Sequence, residues 1–350
     1  MWRRDAAAFA PVLAAQRITL QDFQGTREVP LALASADIGE VVRGAELLLA
    51  PMPAFTQADL GRAIAPHVSS GQVVFMPPGT FGSYVMAKAL RDAGSKASVV
   101  FAETGTLPYL TRKHGPAEVA ITIRAKRLPT GAFPARESAH AMDVVRRAYP
   151  AIEPIEDALS GALMNAGPII HPPLILMNAG PLDLFAYPEN GGFTKRVPAN
   201  VLALGKWNIH NEGTQASIRR VTDALDDERI AVREALGYRP YHFPLRDHYT
   251  TSQWMYGAAH DRLVDSGDWR ENIDFSTHRY MREDVELGLA FLVSVARWAK
   301  VPCPIAQGLL SLGGTILGRD FLTRSPRTLT ALGLASLDRD GMRRLLQDGL

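Results

Sequence analysis

Three short, continuously apolar runs recur in the first half of the chain: Glu46–Ala50 (ELLLA), Gln72–Met76 (QVVFM) and Ser98–Ala102 (SVVFA). Each begins about 25 residues after the last, room for one strand and one crossover helix. Continuous apolarity, rather than alternation, is what strands covered on both faces require. The segments between read as helices. Thr56, with Asp59 three positions on, marks one N-terminus, and Thr80 is placed to cap Tyr84–Ala93. Alternating β and α over this length predicts a parallel, doubly wound sheet. A fourth run, Glu118–Ala125 (EVAITIRA), alternates apolar with polar and predicts a half-exposed or edge strand.

Beyond about residue 150 this rhythm stops and longer helical patterns replace it. Thr214–Gly237 carries Ile218, Val221, Leu225, Val232 and Leu236 on one stripe, with Thr214 as N-cap and Gly237 as the stop. Arg282–Lys300 is apolar nearly all round, as a central bundle helix is. Gly308–Phe321 is a third helix. The expected organisation is therefore a nucleotide-type α/β domain over 1–150 and an all-helical domain over 151–350, joined near Pro150–Pro154.

A doubly wound domain normally carries a Gly-x-Gly-x-x-Gly turn after its first strand. None stands in that context here. Gly313-Gly314 lies in a helical pattern, and Gly191-Gly192 follows the loop Pro188-Glu189-Asn190. Ligands of such sheets lie outside the carboxyl ends of the strands, which makes Pro53, Phe55, Pro78 and Gly79 the candidate cofactor wall. Prolines at those points also serve simply to stop strands. Trp2-Arg3-Arg4-Asp5 reads as the end of a strand that recognises an adenosine ribose, with Arg3 or Arg4 suited to a 2′-phosphate; the competing reading is a solvated basic terminus. On the first reading roughly 30 residues, a strand and its glycine turn, are expected upstream of Met1, and the domain is N-terminally truncated.

Composition closes several other routes. The 38 basic and 36 acidic side chains nearly cancel, so nothing resembles the footprint of a nucleic-acid or membrane-surface binder. The longest charge-free apolar run, Leu287–Ala296, is about half the length of a membrane span. Asp5 and Pro11 break the one N-terminal stretch that imitates an export signal. A single cysteine, Cys303, excludes a disulfide framework and points to a reducing, cytoplasmic setting. His242, His248 and His260 lack the spacing of a metal site, so no metal is expected. Trp207, Trp254, Trp269 and Trp298 read as packing aromatics rather than a base-stacking platform.

One constellation remains. Ala162–Pro173 (ALMNAGPIIHPP) places Asn165 and His171 close together, and Thr277–Asp284 (THRYMRED) places Arg279 five residues before Asp284. A histidine serves as acid and base near neutral pH, and a carboxylate on its second nitrogen fixes tautomer and orientation. An arginine fork matches a carboxylate in bidentate geometry. The structural alternative is a turn histidine beside Pro172 and an acid–arginine pair serving a helix terminus.

These residues, with GAELLLAPMPAF (44–55), GQVVFMPPGTFGSY (71–84), ETGTLPY (103–109), MNAGPIIHPPLILMNAG (164–180), LDDERIAVREALG (225–237), RYMREDVELGL and the downstream VPCP and GRDF, resemble the octopine/nopaline (opine) dehydrogenases. The resemblance covers most of the chain. It implies a Rossmann-like domain joined to an all-helical domain with the active site in the cleft between, and NAD or NADP as cofactor. The implied reaction condenses an amino acid with an α-keto acid such as pyruvate, and hydride reduces the resulting imine. The resemblance makes His171 the catalytic histidine, Asp284 its carboxylate partner and Arg279 the holder of the keto-acid carboxylate. It also assigns Asn165, Glu103 and Thr104 to substrate, although family members carry an asparagine four residues before the histidine, where this chain has Gly167. A homodimer is the assembly considered. Two rivals stand beside this: a ketopantoate-reductase or hydroxyacid-type dehydrogenase, which needs a lysine such as Lys195 or Lys206, and an inactive relative acting as a binding protein.

Overall fold

The structure is a computed structural model that describes residues 1–186, 199–202, 207–239 and 273–350. It divides into two compact units, one comprising Met1–Met164 with Asp338–Leu350, the other the described residues of Asn165–Thr250 and His260–Leu337. The expected sites Lys195, Lys206, Gly191-Gly192, His242, His248, His260, Trp254 and Trp269 lie outside the described residues.

In the first unit the described strands are, in chain order, β1 (Arg17–Asp22), β2 (Gly25–Pro30), β3 (Leu47–Leu49), β4 (Val73–Met76), β5 (Val100–Thr104), β6 (Tyr109–Lys113), β7 (Glu118–Arg124), β8 (Leu128–Phe133) and β9 (Ile152–Pro154). The three apolar runs become β3, β4 and β5, paired parallel with Leu47 opposite Val73 and Val73 opposite Val100. Their sheet has the order β3-β4-β5-β8-β9, with β8 antiparallel to β5. β4 and β5 are buried along their whole length, as continuous apolarity demands, whereas β3 is an outer strand and Leu49 is exposed. β8 was not anticipated: its sequence LPTGAF interrupts any periodicity with proline and glycine, yet every residue is buried. β9 and the short helix Ala158–Ala162 complete the sheet side of this unit, so the division falls after Met164 rather than near residue 150. The C-terminal helix Arg339–Asp348 also belongs with the first unit, not with the helical half.

Three local expectations are corrected. Trp2 ends no sheet strand; it forms an isolated bridge with Ser35, and Asp5 caps a helix at Ala6–Ala15 through the Ala8 N–H. Glu118–Arg124 is half-exposed but not an edge, because it pairs with both β1 and β6 in a second sheet of order β2-β1-β7-β6. Thr80 does not cap the following helix, which runs Gly82–Asp92. Thr80 and Phe81 both have positive φ, and the Gly82 N–H is accepted instead by Glu103 Oε2 at 3.0 Å. A carboxylate from a neighbouring strand thus serves the helix terminus, favoured by the helix dipole.

Among its described residues, the regular elements of the second unit are all helices. The Thr214–Gly237 stripe becomes a helix at Ala216–Ala235, beginning after Gln215 because the Thr214 hydroxyl donates to the Ile209 carbonyl. Gly237, with φ +78°, supplies the left-handed stop. The Gly308–Phe321 pattern becomes Pro304–Ile316, begun earlier by Pro304 in its first turn. Its next two amide groups, of Ile305 and Ala306, donate to Glu228 Oε1 and Oε2 at 2.7 and 2.8 Å. Cys303 is buried at this junction, and its thiol is pushed up by burial and by the Glu228 carboxylate, which keeps it a thiol. Replacing Glu228 by alanine is expected to remove about 1–3 kcal/mol of stability by orphaning two helix donors. Urea unfolding measures this, and an unchanged midpoint would show that the carboxylate is dispensable.

Candidate active site

His171 lies inside the helix Gly167–Met177. The two residues after it, Pro172 and Pro173, have no N–H, so the helix loses two i→i−4 bonds there. Buried Ile169, Ile175 and Leu174 hold the segment helical nonetheless. His171 keeps part of its side chain exposed, and its Nδ1 lies 2.7 Å from Oδ2 of buried Asp284. A carboxylate only accepts, so Nδ1 carries the proton and Nε2 is left to face a reactant.

Asp284 stands on a π-helix, Tyr280–Leu289, which passes into an α-helix at Ala290–Ala299. The single α-helix expected over Arg282–Lys300 is thus two geometries in series. π turns are rare and concentrate at functional sites. Their consequence here concerns spacing: residues five apart diverge by roughly 140° around an α-helix but lie about one turn apart in a π-helix. Arg279 and Asp284 have that spacing. Two glycines permit the close approach of the π-helix to the histidine's helix. A Cβ on Gly288 would sit 2.2 Å from Pro168 Cγ, and a Cβ on Gly167 would sit 2.3 Å from Asp284 Oδ1. A side chain at position 167 would therefore collide with this carboxylate.

Tyr280 and His210 escaped the sequence reading. The Tyr280 ring stacks on the His171 imidazole, with centroids 3.7 Å apart and planes 13° from parallel. Its hydroxyl is 3.0 Å from His210 Nε2. The signal for Tyr280 was its place four residues before Asp284, on the same helical face; His210 carried none. The Arg279 guanidinium lies 5.5 Å from the Tyr280 ring centroid, and the residue as a whole is exposed. Crowding by neighbouring atoms pulls its pKa down, but Tyr280, Asp284 and Glu283 outweigh this and hold it above the ordinary arginine value, so it remains a cation. Asn165 is buried, and its Oδ1 accepts the Gly167 N–H at 3.0 Å, fixing the start of the histidine's helix.

The remaining predicted residues lie in the first unit. Pro53 and Phe55 follow β3, and Pro78 and Gly79 follow β4, at the carboxyl ends of parallel strands. Gln57, also unpredicted, is buried and ties the two loops together by donating to the Gly79 carbonyl at 2.7 Å. Phe55 is exposed and Pro53 and Pro78 half-buried, an apolar surface suited to a flat ring. Arg3 and Arg4 are exposed, Arg4 3.4 Å from Asp59. Glu103 and Thr104 are 0% exposed. Glu103 serves Gly82, and the Thr104 hydroxyl donates to the Pro129 carbonyl at 2.8 Å. With the Glu103 carboxylate at the start of helix Gly82–Asp92, a phosphate there would meet a like charge. Among the described residues no glycine-rich turn follows a strand, and no group of three or more His, Cys, Asp or Glu is arranged to hold a metal.

Residues 154–317 match the α-helical domain of NAD/NADP octopine/nopaline dehydrogenase. The chain is similar to an opine dehydrogenase of Arthrobacter sp. (strain 1C), 27% identical over 89% of this chain and 81% of that protein. It is also similar to vitopine synthase of Allorhizobium ampelinum, 24% identical over 85% of this chain and 77% of that one. The fold is similar to that of an octopine dehydrogenase solved with NADH and L-arginine, with a TM-score of 0.68 at 17% identity over 99% of this chain and 90% of the other. His171, Arg279 and Asp284 all fall inside the matched helical domain.

Proposed function

We infer that this chain, whose residues 154–317 match the α-helical domain of NAD/NADP octopine/nopaline dehydrogenase, is an opine dehydrogenase-like oxidoreductase acting on a CH–NH bond. The reaction assigned is the reductive condensation of an α-keto acid, such as pyruvate, with the amino group of an amino acid. The observation that carries this reading is the His171–Asp284 pair, a 2.7 Å contact between residues far apart in sequence and inside the matched domain. NAD(P)H supplies the hydride when bound. Pro53, Phe55, Pro78 and Gly79 would hold its rings at the carboxyl ends of the parallel strands, and the exposed Arg3 and Arg4, no longer at a strand end, would be only surface cations available to a 2′-phosphate.

His171 Nε2 takes a proton from the substrate ammonium so that its nitrogen can attack the keto carbon. It passes that proton to the former carbonyl oxygen, then relays a second proton from the newly bonded nitrogen to the same oxygen, which departs as water and leaves the imine. Asp284 accepts Nδ1–H throughout and stabilises the imidazolium between the two transfers. Arg279 offers a planar fork to the keto-acid carboxylate. Replacing Arg279 by lysine is expected to raise the KM for the keto acid by about tenfold or more with little change in kcat, because an ammonium cannot form the paired hydrogen bonds. A KM unchanged by this substitution would remove Arg279 from the substrate.

The test of the reaction is NAD(P)H oxidation by the purified chain, followed by absorbance with each substrate alone and with both. Oxidation that requires both, with a secondary-amine product, supports the reading. Oxidation with the keto acid alone marks a hydroxyacid-type dehydrogenase, and cofactor binding with no oxidation marks a binding protein.

A further inference from the structure

His210 and Tyr280 are 6% and 7% exposed, and the mechanism above uses neither. Burying two polar side chains is unfavourable unless they are partnered, and here they partner each other at 3.0 Å. The Tyr280 ring also meets the Arg279 guanidinium and the edge of His278, and it lies face to face with the His171 imidazole at 3.7 Å. The imidazole is thus held on its edge by Asp284 and on its face by Tyr280, both from one π-helix.

His210 is itself fixed. Its N–H donates to Asn208 Oδ1 at 3.0 Å, and the Asn208 N–H donates to Glu212 Oε2 at 3.0 Å, closing a turn. That turn is tied to the histidine's own helix. Asn178, the residue after Met177, donates from Nδ2 to the carbonyls of Leu174 and Gly213 at 2.8 and 3.1 Å, and accepts the Trp207 indole N–H at 2.9 Å. A circuit of hydrogen bonds and one ring stack therefore runs from the helix of His171 through Asn178, the turn, His210 and Tyr280 back to the His171 ring. Such closed networks restrict each member more than isolated pairs do.

We propose that Tyr280 and His210 are positioning residues for the acid/base step: Tyr280 sets the plane of the His171 imidazole, and His210 acts through the Tyr280 hydroxyl to lock that plane. The proposal rests on the reaction assigned above. A loosened imidazole keeps its chemistry but loses aim, so the loss belongs in kcat and not in substrate affinity.

The test uses His210→Leu, His210→Gln, Tyr280→Phe and the double variant His210→Leu/Tyr280→Phe in the full chain. His210→Leu and Tyr280→Phe are each expected to lower kcat by about tenfold, one hydrogen bond's worth, with the keto-acid KM nearly unchanged. The double variant is expected to fall no further than either single one, because both remove the same link. His210→Gln, whose amide can still reach the hydroxyl, is expected to recover most of the rate. Multiplicative losses in the double variant, or a loss in KM with kcat intact, would overturn the proposal. A second measurement separates it from the reaction itself. In NMR spectra of the chain with isotope-labelled histidine, His171 is expected to show the ring-current displacement of a stacked tyrosine and a single Nδ1–H tautomer, both weakened in His210→Leu. Unaltered His171 signals in that variant would sink the positioning role even in a chain that turns nothing over. The expected spectra without any turnover would overturn the assigned reaction and leave the positioning geometry standing.

Discussion

His171→Gln is expected to lower turnover by about 10²–10⁴-fold, the range that a positioned acid/base group contributes. The amide is close to the imidazole in size, so the surrounding buried residues Ile170 and Leu174 keep their packing. What disappears is a group that can both take and return a proton near neutral pH. NAD(P)H affinity, measured by fluorescence titration, is expected to stay within about twofold, since uniform binding does not depend on a group that acts only in the chemical step. The assignment fails for a variant that retains more than about a third of the wild-type rate.

Asp284→Asn is expected to cost on the order of 10² or more in kcat for a different reason. The carboxylate in the structure is an acceptor 2.7 Å from Nδ1 and carries the charge that balances the imidazolium. An asparagine of the same shape loses that charge, and its NH₂ can donate to Nδ1 and turn the imidazole into the wrong tautomer. The side chain remains small enough for Gly167, whose missing Cβ leaves room for Oδ1. Global stability is therefore expected to change little, and a thermal unfolding scan beside the kinetics separates the two effects. A rate loss accompanied by an equal loss of folded protein would place Asp284 in the framework rather than in the chemistry.

Much of this fold is visible in local patterns. Burial on both faces of a strand leaves its mark within five consecutive residues, so QVVFM and SVVFA announced β4 and β5. The helix Ala216–Ala235 was legible because a 3.6-residue stripe and a glycine stop are carried by neighbours in the chain. The strand β8 was not, since Pro129, Thr130 and Gly131 are buried by what packs over them and not by any period of their own. Thr80 had the right chemistry for a cap and lost the position to Glu103, which arrives from another strand.

The candidate site divides in the same way. The residue types of His171, Arg279 and Asp284 were suggestive in sequence, and a resemblance to the opine dehydrogenases led to the roles proposed for them. Which of them meet was decided by the tertiary structure. Nothing in THRYMRED specifies a π-helix, and nothing in GPIIHPP specifies that Tyr280 will lie flat on the histidine ring. Those contacts exist because Gly288 lets one helix backbone come against Pro168 while Gly167 leaves space for a carboxylate, a fit of volumes between segments more than a hundred residues apart. The sequence determined the strands β4 and β5, the helix Ala216–Ala235 and the chemistry available at His171, Arg279 and Asp284, because periodicity and side-chain chemistry are local. Only the tertiary structure decided the partners Tyr280 and His210, the pairing of Asp284 with Nδ1 and the burial of Glu103, because a contact across the chain depends on how closely two backbones can pack.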